Sequence, residues 1–413
     1  MIAPAAGAPE RDVFLLFATR SLRLFGYGLL SVVLVLYLTS LGLSGGEIGL
    51  LLALTLLGDA AVSLWLTTHA DRIGRRRVLL AGAALMLAAG LAFVATPLYP
   101  VLVVAATIGV ISPSGNEVGP FLAAEQAALA QLVGAARRTT IFARYQLAGS
   151  IATATGALAG GGLAQLAIGG GAEPAEAYRL VITGYALVGV VLALLFARVS
   201  PRVEVPPRDL EDAPIQTRLG LHRSERLVIR LSTLFALDAF AGGFVILSFV
   251  ALWFQTRFGV DPAVLGGLLF GANLLAGLSA LAAAPIAARF GLIPTMVFTH
   301  LPSDILLILV PLMPTLPLAA GVLLVRFSIS QMDVPTRQSY TMAIVAPDER
   351  AAAAGVTGIA RSLGVAASPL VAAPLYLSAT LAGAPFVIAG GLKVLYDLLL
   401  YRRFRALRPP DDV

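Results

Sequence analysis

Apolar stretches of about 20 residues or more recur along almost the whole of this 413-residue chain, parted by short turns rich in glycine, proline and charge. Hydrophobic residues make up 58% of the sequence and charged residues 13%, against roughly 25% charged in an ordinary soluble domain. Mean hydropathy is +0.88. No soluble core could absorb that much apolar surface. A hydrocarbon slab about 30 Å thick is crossed by a helix of about 20 apolar residues, so an all-α, polytopic membrane protein is expected.

The formal net charge is +6, from 29 basic and 23 acidic residues. In a soluble protein that balance could suggest nucleic acid, but here position argues otherwise. Arg72, Arg75, Arg76, Arg77, Arg137, Arg138, the arginines from Arg198 to Arg226, Arg289, Arg350 and those from Arg402 to Arg408 fall in every second connection or at the C-terminal end. The intervening connections hold little beyond Arg179 and Arg257. Short cytoplasmic loops collect Lys and Arg, so both termini are expected in the cytoplasm of a plasma-membrane protein with an even number of spans. The absence of cysteine excludes a disulfide framework. Met1 to Asp12 lack the basic and apolar regions of a cleaved signal, and the first span is expected to direct insertion.

Hydropathy broken by turn residues predicts twelve spans, at 13–40, 45–70, 78–97, 99–132, 139–167, 178–198, 228–256, 262–288, 292–314, 317–346, 350–379 and 385–405. The longest polar segment, Ser200 to Arg226, reads as a cytoplasmic linker. It divides the chain into a six-helix bundle over 1–199, a linker over 200–227 and a second six-helix bundle over 228–413. The halves are related. Gly42 and Gly259, Gly49 and Gly266, and Gly74 and Gly291 share one offset of 217 positions, as do Ala143-Arg144 and Ala360-Arg361. Asn116-Glu117-Val118-Gly119-Pro120 matches Met332-Asp333-Val334-Pro335 at an offset of 216. Parallel repeats of this kind are a known transporter design, with the substrate path where the repeats meet.

The loop between the second and third spans, Asp71-Arg72-Ile73-Gly74-Arg75-Arg76-Arg77, resembles the Gly-x-x-x-Asp-Arg-x-Gly-Arg-Arg signature of the major facilitator superfamily, with Thr67 in place of the first glycine. Its weak echo is Arg289-Phe290-Gly291. The resemblance implies two pseudo-symmetric bundles that rock about a central site, lined by the first, fourth, seventh and tenth helices. It also implies that Asp71, Arg72, Gly74, Arg75 and Arg76 form a charge latch; the plainer reading is that their positive charge only holds the loop inside. The arginine-led fourth-span motif and the Gly-Pro fifth-span motif of the drug antiporters are missing. The glycines from Gly156 to Gly162 are read as places of close helix contact.

Ionisable residues within spans cost on the order of 3 kcal/mol each near the bilayer centre, so each should face protein or water and have a partner. Span counting puts Arg23, Glu117, Asp238, Asp333 and Arg337 near the cavity as candidate substrate contacts. A coupling proton needs a carboxylate whose proton affinity changes with its hydration, and Asp59, Asp238 and Glu117 are the candidates. The plainer reading makes Glu117 with Arg144, and Asp333 with Arg361, ion pairs that tie the fourth helix to the fifth and the tenth to the eleventh. Arg23 and Asp238 have no counterpart at the 217 offset, where Phe240 and Ser21 stand, and are the better candidates for chemistry. His300 with Asp304, and Lys393 with Asp397, are each four apart and read as structural pairs, with His300 as a proton relay the other possibility.

No catalytic residues, metal site or cofactor are expected, since the three histidines are scattered and no phosphate-binding Gly-x-x-x-x-Gly-Lys-Ser/Thr loop occurs. The chain therefore reads as a monomeric secondary transporter and no enzyme, with a small-molecule substrate, protons and the lipid bilayer as its partners. Two functions stay open: proton-coupled export of a small organic solute, or carriage of a phosphate-like or carboxylate anion by intramembrane arginines. A non-transporting receptor or scaffold would leave the buried charges without a reason.

Overall fold

The computed structural model describes residues 8–133, 138–204, 224–345 and 349–405. These residues form α-helices, with short 3-10 turns such as Pro201–Val203 and Val310–Leu312, and no strand. The first seven helices are α1 (Ala8–Ser40), α2 (Gly45–Ile73), α3 (Arg75–Ala95), α4 (Tyr99–Ile108), α5 (Phe121–Leu132), α6 (Arg138–Gly169) and α7 (Pro174–Phe196). Nine more follow: α8 (Glu225–Gly243), α9 (Leu247–Phe258), α10 (Pro262–Phe290), α11 (Leu292–Leu309), α12 (Leu316–Ile329), α13 (Asp333–Ala343), α14 (Arg350–Ala367), α15 (Pro369–Tyr376) and α16 (Ala384–Phe404). Among the described residues 11 segments are long and apolar enough to cross a membrane, and Tyr99–Ile108 is a shorter apolar helix.

Four of the expected continuous spans are each built from two helices. The fourth breaks between α4 and α5, the seventh between α8 and α9, the tenth between α12 and α13, and the eleventh between α14 and α15. The break in the fourth is longest because its sequence, Gly109-Val-Ile-Ser-Pro-Ser-Gly-Asn-Glu-Val-Gly-Pro120, carries two prolines and two glycines at positive φ, Gly115 at 70° and Gly119 at 81°. The apolar helices on either side, Tyr99–Ile108 and Phe121–Leu132, are what make the stretch read as one continuous span. The exposed backbone is met by side chains: Tyr27 donates to Val118 O at 3.2 Å, Tyr185 donates to Val110 O, and Ser112 donates to Asn116 O at 2.7 Å. Irregular backbone survives at membrane depth only when protein supplies such partners.

Two compact units emerge. One comprises Met1–Gly42, Leu57–Pro214 and Asp261–Phe270, the other Leu43–Leu56, Ile215–Val260 and Gly271–Val413. In the first, α1 packs on α6 and α7, and α3 packs on α7. In the second, α8 packs on α14, and α11 on α16. Counted as spans, these are equivalent pairs, so the repeat in sequence is a repeat in packing. α7 shows the membrane pattern: Tyr185 and Leu192 are buried while Leu187 and Leu194 are equally apolar and exposed.

The repeated glycines have physical reasons. Gly74 precedes α3 with φ 103° and Gly291 precedes α11 with φ 87°, a conformation that suits glycine alone among common residues. A Cβ on Gly49 would stand 2.5 Å from Pro369 O, and one on Gly266 2.8 Å from Ala157 O. The glycine-rich stretch of α6 behaves as expected: a Cβ on Gly156 would lie 2.1 Å from Phe25 O and one on Gly160 2.8 Å from Leu29 O, whereas Gly162 has open space.

Candidate functional site

Each unit buries one network of charges. In the first unit Arg20 and Arg23 lie three apart on α1 and face the fourth span. The Arg23 guanidinium donates from Nε to Glu117 Oε1 at 2.8 Å and, as a fork, to both oxygens of Glu125 at 2.9 and 2.7 Å. Arg20 pairs with Glu117 Oε2 at 2.8 Å and donates to Gln146 Oε1 at 2.9 Å. Glu125 accepts two further bonds, from Thr19 at 2.9 Å and Tyr145 at 2.5 Å. The Tyr145 ring lies 4.5 Å under Arg20 and the Phe121 ring 4.4 Å under Arg23. Arg23 and Glu125 are fully buried, while the Glu117 side chain, held on the non-helical break, keeps 14% exposure. Beside that break the Asp59 carboxylate accepts the Gly119 N–H at 2.6 Å and the Ser63 hydroxyl at 3.3 Å.

In the second unit the polarity is inverted, with an acid at the hub. Asp238 on α8 takes Lys393 Nζ on Oδ1 at 2.6 Å, and Arg337 and Arg361 on Oδ2 at 3.1 Å each. Arg337 also donates to Asp333 Oδ2 at 2.8 Å. These groups are buried apart from Arg361, whose side chain is 34% exposed. Close by, His300, Asp304 and Asp397 bring ligand-type atoms within 4.8 Å of one another. Lys393 and Arg326 lie near enough to act on that group electrostatically, and their positive charge disfavours a metal cation there.

The expected site residues thus separate into two sets. Arg23 and Glu117 meet in the first unit, and Asp238, Asp333 and Arg337 meet in the second. The expected cross-helix pairs are corrected. Glu117 pairs with Arg20 and Arg23 of α1, and Arg144 is exposed. Arg361 joins Asp238 while Asp333 joins Arg337. Lys393 reaches Asp238, leaving Asp397 to His300. For the first two the reason is that α1 and α8 supply the hubs, at positions that offset matching does not repeat. For the third, neighbouring helices offer Lys393 and Asp397 closer partners than their own four-residue spacing does. Glu125, Arg20 and Lys393 took no part in the expected substrate site. Charge balance was the available signal, because two buried arginines on one face require two acids.

At the signature loop the side chains of Asp71 and Arg72 lie outside the described residues, as does the segment 205–223 of the linker. Gly74 turns the chain into α3, and Glu204 accepts the N–H groups of Arg75 at 2.6 Å and Arg76 at 3.1 Å, satisfying the start of the helix. Arg75 donates to Gln131 at 2.9 Å and Val203 O at 3.1 Å, and Arg76 donates to Ala197 O. These arginines bind the loop to the stretch that follows α7.

Comparison with known proteins agrees with this architecture. A family model described as Major Facilitator Superfamily matches residues 16–369. The chain is 32% identical over 420 residues to the uncharacterized membrane protein YJR124C of Saccharomyces cerevisiae, covering 95% of this chain and 93% of that protein. Among solved structures it resembles a mutant of the nucleoside transporter NupG, with a TM-score of 0.77, 14% identity, and coverage of 95% of this chain and 100% of that one. A D-xylose-proton symporter matches with a TM-score of 0.69, 17% identity, and coverage of 94% and 97%.

Proposed function

Since the chain belongs to the Major Facilitator Superfamily, we propose that it is a secondary transporter that works by alternating access and couples a proton to the passage of a small organic solute, with export as the expected direction. The observation that carries this reading is the pair of buried, charge-inverted networks, one centred on Arg23 and the other on Asp238. Ion networks this deep are costly scaffolding when greasy packing would serve as well. They are useful where partners must exchange, as when a carboxylate takes a proton and releases its arginine. Asp59, Glu117 and Asp238 are the proposed carriers, and Arg23, Glu117, Asp238, Asp333 and Arg337 the proposed solute contacts. One neighbour in fold, the xylose symporter, is named for proton coupling, which supports the reading by analogy.

The arginine distribution supports a plasma-membrane protein with both termini in the cytoplasm, and a monomer is the proposed working unit. The anion reading keeps one specific support: Arg361 is one-third exposed and holds a single 3.1 Å bond to Asp238. Arg23 and Arg337 are taken up by acids, which narrows that reading to Arg361. Flux of a solute panel into proteoliposomes under an imposed pH gradient separates the two. Gradient-driven flux that is lost in Asp238→Asn upholds proton coupling. Flux indifferent to the gradient, with anion uptake lost in Arg361→Ala, overturns it.

A further inference from the structure

Where α11 packs against α16, three ionisable side chains meet that the proposed solute site does not use. His300 and Asp304 lie four apart on α11, and Asp397 comes from α16. His300 Nδ1 stands 3.1 and 3.2 Å from the oxygens of Asp397 and 3.2 Å from Asp304 Oδ2. All three residues are buried. One ring nitrogen that faces two carboxylates at this range needs a hydrogen between them, because bare lone pairs in contact repel. A proton on Nδ1 meets that need, yet it is donated well to one carboxylate at a time. Neither oxygen of Asp304 makes a hydrogen bond although the side chain is fully buried, and an unmade bond of that kind is expensive. The group holds one proton by necessity and has room for a second.

The surroundings set the charge. Lys393 and Tyr396 face the group from α16, the Tyr396 ring standing edge-on to His300 with centroids 6.2 Å apart. Arg326 acts from α12, Asp333 from α13 and Asp238 from α8. Counting Arg337 and Arg361, the acids Asp238, Asp304, Asp333 and Asp397 balance the cations Arg326, Arg337, Arg361 and Lys393 one for one. A second proton on the His300 group therefore takes the network from neutral to a single positive charge.

We propose that His300, Asp304 and Asp397 form a proton-binding site, loaded and emptied once per transport cycle, whose occupancy Lys393 relays to Asp238. Lys393 precedes Asp397 by one turn of α16 and donates to Asp238 Oδ1 at 2.6 Å. When the second proton arrives from water, the nearby carboxylates lose negative charge and Lys393 stays on Asp238. When it returns to water, Asp304 and Asp397 compete for the ammonium, and Asp238 gives up one of its three cationic partners. The site rests on the transporter reading and adds to it the place where the proton is held.

Proton uptake by the purified full-length protein, followed with a pH indicator dye in weakly buffered solution as mildly alkaline medium is made mildly acidic, needs no solute. Asp304→Asn and His300→Gln are each expected to bind about one proton fewer per molecule than the unaltered protein. Asp304→Glu, which keeps the carboxyl, is expected to restore it. Variants are compared only where size-exclusion profiles match. An unchanged proton count in folded Asp304→Asn and His300→Gln overturns the site, even if solute flux follows the pH gradient. A lost proton with flux indifferent to the gradient keeps the site and removes the coupling reading instead.

Discussion

Glu125→Gln tests the network in the first unit directly. The carboxylate of Glu125 receives both arms of the Arg23 fork at 2.9 and 2.7 Å, the Tyr145 hydroxyl at 2.5 Å and the Thr19 hydroxyl at 2.9 Å, and no part of it reaches solvent. An amide in its place keeps one acceptor oxygen but turns an NH2 toward donors that have nowhere else to point. Arg23 is then left with Glu117, which Arg20 already shares. Removing one partner of a buried ion pair costs about 3–5 kcal/mol. At about 2–4 °C per kcal/mol for a unit of this size, the unfolding midpoint in detergent should fall by roughly 10 °C. The double change Arg23→Met with Glu125→Leu removes both charges and leaves Glu117 with Arg20. It should lose less than the two single changes added together. Midpoints within about 1 °C of the unaltered protein for Glu125→Gln, or a double change equal to the sum of the singles, would refute the argument from a coupled buried pair.

Asp238→Asn leaves Arg337, Arg361 and Lys393 facing an uncharged hub, and flux should be abolished; adding Lys393→Met to it should recover part of the lost thermal stability, and no recovery would count against the hub. Asp59→Asn keeps an acceptor oxygen for Gly119 and Ser63, so the midpoint should hold while gradient-driven flux falls; unchanged flux removes Asp59 from the proton carriers. Gly74→Ala forces a side chain into φ 103° and should cost about 1–2 kcal/mol of stability, read as a lowered midpoint. Gly156→Leu should prevent folding because its Cβ alone would meet Phe25 O at 2.1 Å, whereas Gly162→Ala, with open space around it, should express and behave as the unaltered protein does.

The membrane environment, the repeat and most of the buried charges were legible in the chain because each depends on local chemistry, although Arg144, expected within the fifth span, is exposed. An apolar run has one suitable solvent, an ionisable group within it must be paired, and a duplicated fold leaves glycines at a fixed offset wherever a turn or a close helix contact requires them. Spacing of four on one helix was a partial guide: His300 with Asp304 came together as it suggested, while Lys393 with Asp397 did not. The partners across helices were not legible. Glu117 turned from Arg144 to Arg20 and Arg23, and Lys393 from Asp397 to Asp238. Such pairings depend on which helices adjoin, how each is rotated, and where a span such as the fourth gives up its helix. Those are settled by side-chain packing between segments about a hundred residues apart, on which no periodicity within a single segment bears. The sequence by itself determined the kind of machine and most of the charges it buries, while only the tertiary structure decided that one unit is organised around an arginine and the other around an aspartate.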